Sequence, residues 1–259
     1  VLLDAADAIG TTSNRISTDV GTLAARVTGG ATAGDIFVSQ VDGTRDALTI
    51  GAVTAVNTGA TSLNGITTAN GNDSTVSTAA GTLTVVQDVA ANGGGFVDLR
   101  AGGAASDIAL NGATVSAGSG TLQLIAGRSI TTNTTTDATV ELSTSGGVLL
   151  DAADAIGTTS NRISTDVGTL AARVTGAATA GDIFVSQVDG TRDALTVGSV
   201  TAVNSGATSL NGITTANGND ITVTTVAGTL TVVQNVAANG GGFVDLRAGG
   251  GTSDIAING

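Results

Sequence analysis

Residues 1–112 of the chain return as residues 148–259, offset by 147, with 11 positions changed. The segment VLLDAADAIGTTSNRISTDVGTLAARVTG opens at Val1 and reappears intact from Val148, and Ala113–Gly147 completes the first unit. The changes are mild, among them Ile50/Val197, Leu110/Ile257, Ser77/Thr224 and Thr58/Ser205. A duplication this close suits a fold whose units stack in line, because each added unit lengthens the array without altering its cross-section. A catalytic domain gains nothing from a tandem copy of itself, whereas a fibre, stalk or adhesive array gains reach. The repeat therefore points to a structural role.

Composition narrows the core. Four Phe are the only aromatics, and Trp, Tyr, His, Cys, Met, Pro and Lys are absent. A compact globular core relies on aromatic bulk. Here Val, Ile, Leu and Ala alternate with Thr, Ser, Asn and 39 Gly, a mixture suited to many short strands separated by turns. Hydrophobic residues make up 41% of the chain, which argues against disorder. The net charge of −12 comes from 20 Asp and Glu141 against nine Arg, so the chain repels nucleic acid and anionic lipid. Without cysteine there are no disulfides or thiolate metal sites. No apolar run approaches the ~20 residues that span a bilayer. The chain opens and closes inside a repeat unit, which is the expected look of an excerpt from a longer repetitive protein.

The strand signal has period two. In GTLQLIA, Leu122, Leu124 and Ala126 share one face, with Gln123 and Ile125 opposite. In GGFVDLRA, Val97, Leu99 and Ala101 oppose Phe96, Asp98 and Arg100. GTLAARV sets Leu23, Ala25 and Val27 against Ala24 and Arg26, and GDIFVSQ sets Ile36 and Val38 against Phe37 and Ser39. These are short strands, each launched by Gly. LLDAADAI at Leu2–Ile9 is Ala-rich, but Gly10-Thr11-Thr12-Ser13-Asn14 follows it, and it reads as a strand with a bend.

Gly94, Gly120, Gly147 and Gly168 open similar strands at spacings of 26, 27 and 21 residues. Short second strands follow at Ser106, Arg128 and Asn161. Units of this length with two or three strands predict an all-β fold, a right-handed parallel β-helix (β-solenoid). The 147-residue unit, residues 1–147, would hold about six coils, with 148–259 a second, incomplete copy continuing without a linker. At about 4.8 Å per coil the rod would be roughly 50 Å long. The absence of proline fits, since each strand is bonded above and below and proline would delete a ladder bond. The competing architecture, a tandem array of β-sandwich modules, would show a buried aromatic anchor and turn prolines, and these are missing.

In GTLTVVQDVAANGGGFVDLRAGG, SDIALNGATVSAGSGTLQLIAGRSI and STSGGVLLDAADAI the whole chain resembles the β-helical passenger regions of giant bacterial surface proteins of the filamentous haemagglutinin and autotransporter adhesin type. The resemblance implies a long exported β-solenoid engaged in adhesion or in building extracellular layers and filaments. Two features depart from that pattern. The chain contains no amino-terminal secretion domain or translocator, and its 147-residue period is much longer than a single coil. The long period suggests duplication of a multi-coil block.

Candidate chemistry is sparse. With no His, Lys, Trp or Tyr, a carbohydrate-active site would rest on Asp and Arg alone, around Asp42, Arg45 and Asp46 or at Asp4 and Asp7. Asp42-Gly43 also reads as a plain turn. No catalytic, cofactor or metal site is assigned, and no enzyme is expected. Calcium would enter only as bridging between acidic rods or at a corner such as Asn72-Asp73 or Asn219-Asp220. Thr131–Thr136 reads as one Thr-rich turn rather than an ice-binding array. The glycosylation sequon at Asn72-Asp73-Ser74 is lost at Asn219-Asp220-Ile221; that at Asn133-Thr134-Thr135 stands in the unrepeated segment. Unmodified surface residues are expected at both. Phe37, Phe96, Phe184 and Phe243 fall opposite the aliphatic set. They are expected either as exposed steps repeating every 147 residues and mediating lateral contacts, or as caps under loops.

The resulting expectation is a non-catalytic structural component of an extracellular or cell-surface bacterial fibre, filament, sheath or stalk. Self-association into filaments or layers would be its main partnership. The alternative is an adhesin passenger binding a host or polysaccharide surface, and a β-helix enzyme is the third class.

Overall fold

In the computed structural model, which describes residues 1–29, 34–135, 137, 139–176 and 181–258, the period-two segments form parallel ladders. The chain is an all-β parallel β-solenoid of about ten turns, with no helix among the described residues. One side of the rod stacks Ile36–Gln40, Ser74–Thr78, Val97–Ala101 and Leu122–Ala126, followed by the second halves of Leu142–Ala152 and Ile163–Val174. A second side stacks Leu48–Ile50, Leu83–Val85, Ile108–Leu110, Ser129–Thr132 and Ala155–Ile156. A third stacks Ile66–Thr68, Val89–Ala91, Val115–Ser116 and the first part of Leu142–Ala152. Consecutive coils place Val97 beside Leu122, Leu122 beside Val148 and Val148 beside Leu170, steps of 25, 26 and 22 residues (97 to 122, 122 to 148, 148 to 170).

The alternation read from the sequence holds inside the rod. Leu23, Ala25, Val27, Ile36, Val38, Val97, Leu99, Ala101, Leu122, Leu124 and Ala126 all belong to one continuous buried cluster running along the lumen. Each inward side chain stacks on its counterpart a coil away, so the core is a set of aliphatic columns closed by in-register pairing. Leu2–Ala5 is a strand, and Ile9, beyond a bend, bridges to Ile36, which matches the bent-strand reading of Leu2–Ile9. The two copies meet without a linker: Leu142–Ala152 turns a corner, with a register shift between Thr144 and Gly147, and runs on through Val148.

The repeat period is not a whole number of coils. Five ladder steps carry the first copy from Ile36 to Leu170 on one side of the rod. The counterpart of Ile36, Ile183, does not continue that side. Ile183 stacks on Ile156, and Val185 stacks on Ile163, so strand Ile183–Gln187 joins the two other sides into one. The side that ended at Ile163–Val174 splits in compensation: Leu170 pairs with Val197 and Ala172 with Ile213. The same merger occurs in the first copy, where Ile9 and Ile16 lie over Ile36 and Val38. The same split occurs where Leu23 pairs with Ile50 and Ala25 with Ile66. Equivalent residues of the two copies therefore stand on different sides of one rod.

At each split, the chain between the two half-strands leaves the solenoid as an antiparallel hairpin. The first arm pairs Ala52–Val53 with Leu63–Asn64, and the second pairs Ser199–Val200 with Leu210–Asn211. The Gly65 amide closes the first arm on the Gly51 carbonyl at 3.0 Å, and Gly212 closes the second on Gly198 at 2.9 Å. Gly65 and Gly212 have φ of 71° and 77°, and a Cβ on either would collide with the carbonyl of Asp88 or Asn235 in the next coil.

Candidate functional site

The outer surface carries whatever interactions a solenoid makes, because its lumen is filled. Its most elaborate feature is the bed on which the second arm lies. The arm folds back along the rod over coils formed earlier in the chain. Near its root, Val200 and Leu210 pack on the outward side chains Leu149 and Ala171, and all four are buried, with Ile125 and Ala202 at their margin. Nearer the tip the contacts become polar. The Val203 amide donates to Gln123 Oε1 at 3.2 Å, and Asn204 Nδ2 donates to Asp98 Oδ2 at 2.6 Å and Thr75 Oγ1 at 3.1 Å. Arg100 Nη1 donates to the Ser205 carbonyl at 3.1 Å.

Asp98 is the hub of this bed. Its carboxylate takes Arg100 Nε at 2.9 Å, Gln123 Nε2 at 2.8 Å and Asn204 Nδ2, and is fully buried. A carboxylate removed from water needs its lone pairs occupied, and here three donors from three segments occupy them. Thr75, Asp98 and Gln123 occupy facing positions on successive coils, Thr75 against Asp98 and Asp98 against Gln123. The alternation correctly turned Asp98, Arg100 and Gln123 away from the lumen. It did not reveal that an arm buries them, and the AVTAVNTGATSLN segment was not read as a hairpin. One signal was present: the ladder step from Ile36 to Ser74 is 38 residues (36 to 74), against 22 to 26 for the later steps on that side (148 to 170, 122 to 148).

Two of the candidate acids are absorbed, Asp46 by a turn and Asp4 by an ion pair. Asp46 Oδ1 accepts the Gly43 amide at 3.1 Å, while Asp19 accepts the amides of Thr44 and Arg45. Residues 42–46 are therefore a tied turn with Asp42 exposed, and among the described residues no side-chain hydrogen bond joins Arg45 to the acids beside it. Asp4 pairs with Arg26 at 2.7 Å, and this guanidinium holds its carboxyl below the usual range; Asp7 stands apart. Six of the nine Arg pair with an Asp: Arg26, Arg100, Arg128, Arg173, Arg192 and Arg247.

At the Asn72-Asp73 corner, Asn72 Oδ1 accepts the Gly34 amide at 3.2 Å and Asp73 Oδ1 accepts the Phe96 amide at 2.9 Å. Asn219 and Asp220 repeat both contacts with Gly181 and Phe243. Burial pushes the Asp73 carboxyl up to about 6, with the neighbouring Asp35 adding to the rise against the hydrogen bond from Phe96. Among the described residues no group of three or more acidic side chains is arranged to hold a metal ion. Glu141, the sole glutamate, is fully buried, takes the Thr132 hydroxyl and the Ser164 amide at 2.9 Å, and has its carboxyl raised by burial.

The four Phe do not form a regular series. Phe37 is buried outside the lumen cluster, beside the loop at Gly10–Thr12, which fits a cap under a loop. Phe184 is half-buried, and Phe96 and Phe243 precede their strands at a corner rather than lying on a strand face. Only Phe243 is strongly exposed, at 59%. Phe96 precedes a strand paired on both sides, whereas Phe243 precedes Val244–Ala248, which is paired on one side among the described residues. Thr131 and Thr132 belong to strand Ser129–Thr132 rather than to a turn, and Thr136 lies outside the described residues.

No helix is long and apolar enough to cross a membrane among the described residues. No protein-family model, curated protein or solved structure matches the chain.

Proposed function

We propose that this chain is a load-bearing segment of an extracellular or cell-surface bacterial fibre, filament, sheath or stalk, and that it works without catalysis. The observation carrying this reading is the linker-free junction: two near-identical units are joined within Leu142–Ala152 and share one continuous lumen. Such a joint transmits tension through backbone ladders instead of a flexible linker, and repeating it adds length at constant cross-section. The outer surface supports the same reading. Of the candidate acids, Asp46 is committed to a turn and Asp4 to an ion pair, and net charge −12 keeps rods soluble. Self-association end to end, or in layers, is the partnership this role requires.

Negative-stain electron microscopy of the native material with helical image analysis tests the proposal. Long uniform rods with an axial layer line near ~4.8 Å support it. Discrete short particles would overturn the fibre reading and favour an adhesin tip or an enzyme.

A further inference from the structure

The first arm is nearly the same peptide as the second, differing only by Ala52 for Ser199 and Thr58 for Ser205, yet it covers only half a bed. Its root has the counterparts of Ala171 and Leu149: Ala24 is fully buried beneath it, and Leu2 is half-buried. Its tip has nothing beneath it. Val56 is 95% exposed and Asn57 is exposed, where Val203 and Asn204 are half-buried. A cleft of about 390 Å³ opens there, lined by Val1, Leu2, Val53, Val56, Asn57 and Ala60.

We infer that the first arm is a docking clasp whose partner is another copy of this repeat unit, set in line ahead of Val1 and presenting its own Thr75, Asp98 and Gln123. The inference stands on the arm geometry and not on the proposed function. The second arm identifies the partner, because the same Val-Asn pair that is bare in the first arm is bonded to those three side chains in the second. The fit is specific. Asn57 offers an amide that satisfies a carboxylate and a hydroxyl, and the Val56 amide needs an acceptor at the position Gln123 fills. One element of the complementary face recurs on this chain, the carboxylate of Asp245. Asp245 and Arg247, counterparts of Asp98 and Arg100, pair only with each other and remain open to solvent, with side chains 28% and 67% exposed. A clasp closing back over the previous unit would thus lock every junction in an array of such repeats.

The test is a chain lengthened by one further copy of residues 1–147 ahead of Val1, compared with the 259-residue chain. In the shorter chain Asn204→Ala should lower the melting temperature by several degrees and Asn57→Ala should leave it unchanged. In the longer chain Asn57→Ala should lower it as much as Asn204→Ala does, and the first-arm amides should exchange at least tenfold more slowly. An Asn57→Ala that stays silent in the longer chain, or arm amides that exchange as before, overturns the inference. A longer chain that does not fold overturns it as well, because the junction it needs already forms once between residues 147 and 148. A first arm already protected in the shorter chain would show that a different partner, such as a lateral neighbour, occupies it.

Discussion

The two arms are almost one sequence in two environments. The second lies on a complete bed and buries Leu149, Ala171, Asp98 and Gln123, whereas the first holds its root on Ala24 and leaves Val56 and Asn57 in water. The peptide does not decide between these outcomes; the coils it folds back over do. Side-chain identity in a stacked repeat therefore sets what a residue can bind, and position along the stack sets whether it does.

The comparison breaks most sharply at Asp98 and its counterpart. Asp98→Ala strips the buried Gln123 and the half-buried Arg100 and Asn204 of their shared acceptor and should cost about 3–5 kcal/mol of local stability. Asp245→Ala, in the same VDLRA sequence, removes a solvent-screened pair and should cost far less. Site-resolved denaturation or native-state exchange would measure both, and equal losses would contradict the burial difference. Next in size is the apolar root. Leu149→Ala should lose about 2–5 kcal/mol beneath the second arm. The half-exposed Leu2→Ala should lose clearly less, since part of that side chain is already in water.

A third comparison lies in the lumen. Ser74 and Ile221 are counterparts, both fully buried, stacked between Ile36 and Val97 and between Ile183 and Val244. The Ser74 hydroxyl has no hydrogen-bond partner. Ser74→Ile should therefore stabilise the first copy by about 1–2 kcal/mol, read as a higher denaturant midpoint. A destabilised variant would mean that the column at Ser74 is too narrow for the side chain its counterpart accepts.

The smallest effect concerns pH. The folded Asp73 carboxyl titrates near about 6, above its ordinary value of 3.8, so the folded chain binds that proton more tightly than the unfolded one. Its penalty is fully present above pH 6 and is relieved as pH falls toward 4. Asp73→Asn should flatten the rise in melting temperature over that window, and an undiminished rise in the variant would contradict the burial of this carboxyl.

Much of the fold was legible because alternation records burial in a narrow lumen. Leu122, Leu124 and Ala126, or Val97, Leu99 and Ala101, turn inward because only that face meets other aliphatic side chains. Alternation carries no information about which outward residues a distant segment will cover. Gln123 and Asp98 are as polar as any surface residue and yet are fully buried, because residues 80 and 106 positions further along the chain reach them. The regular Phe spacing is silent on exposure for a related reason: the strand after Phe96 is covered by Leu122–Ala126, and the strand after Phe243 is paired on one side among the described residues.

Hydrogen exchange read peptide by peptide tests the central claim most directly. The two arms are separable by mass through Ala52/Ser199 and Thr58/Ser205. The account predicts that the Val203 amide, bonded to Gln123, is protected while its counterpart at Val56 exchanges near the rate of an unstructured chain. Equal protection at Val56 and Val203, or none at either, would contradict the claim that the coils beneath an arm decide whether it is held.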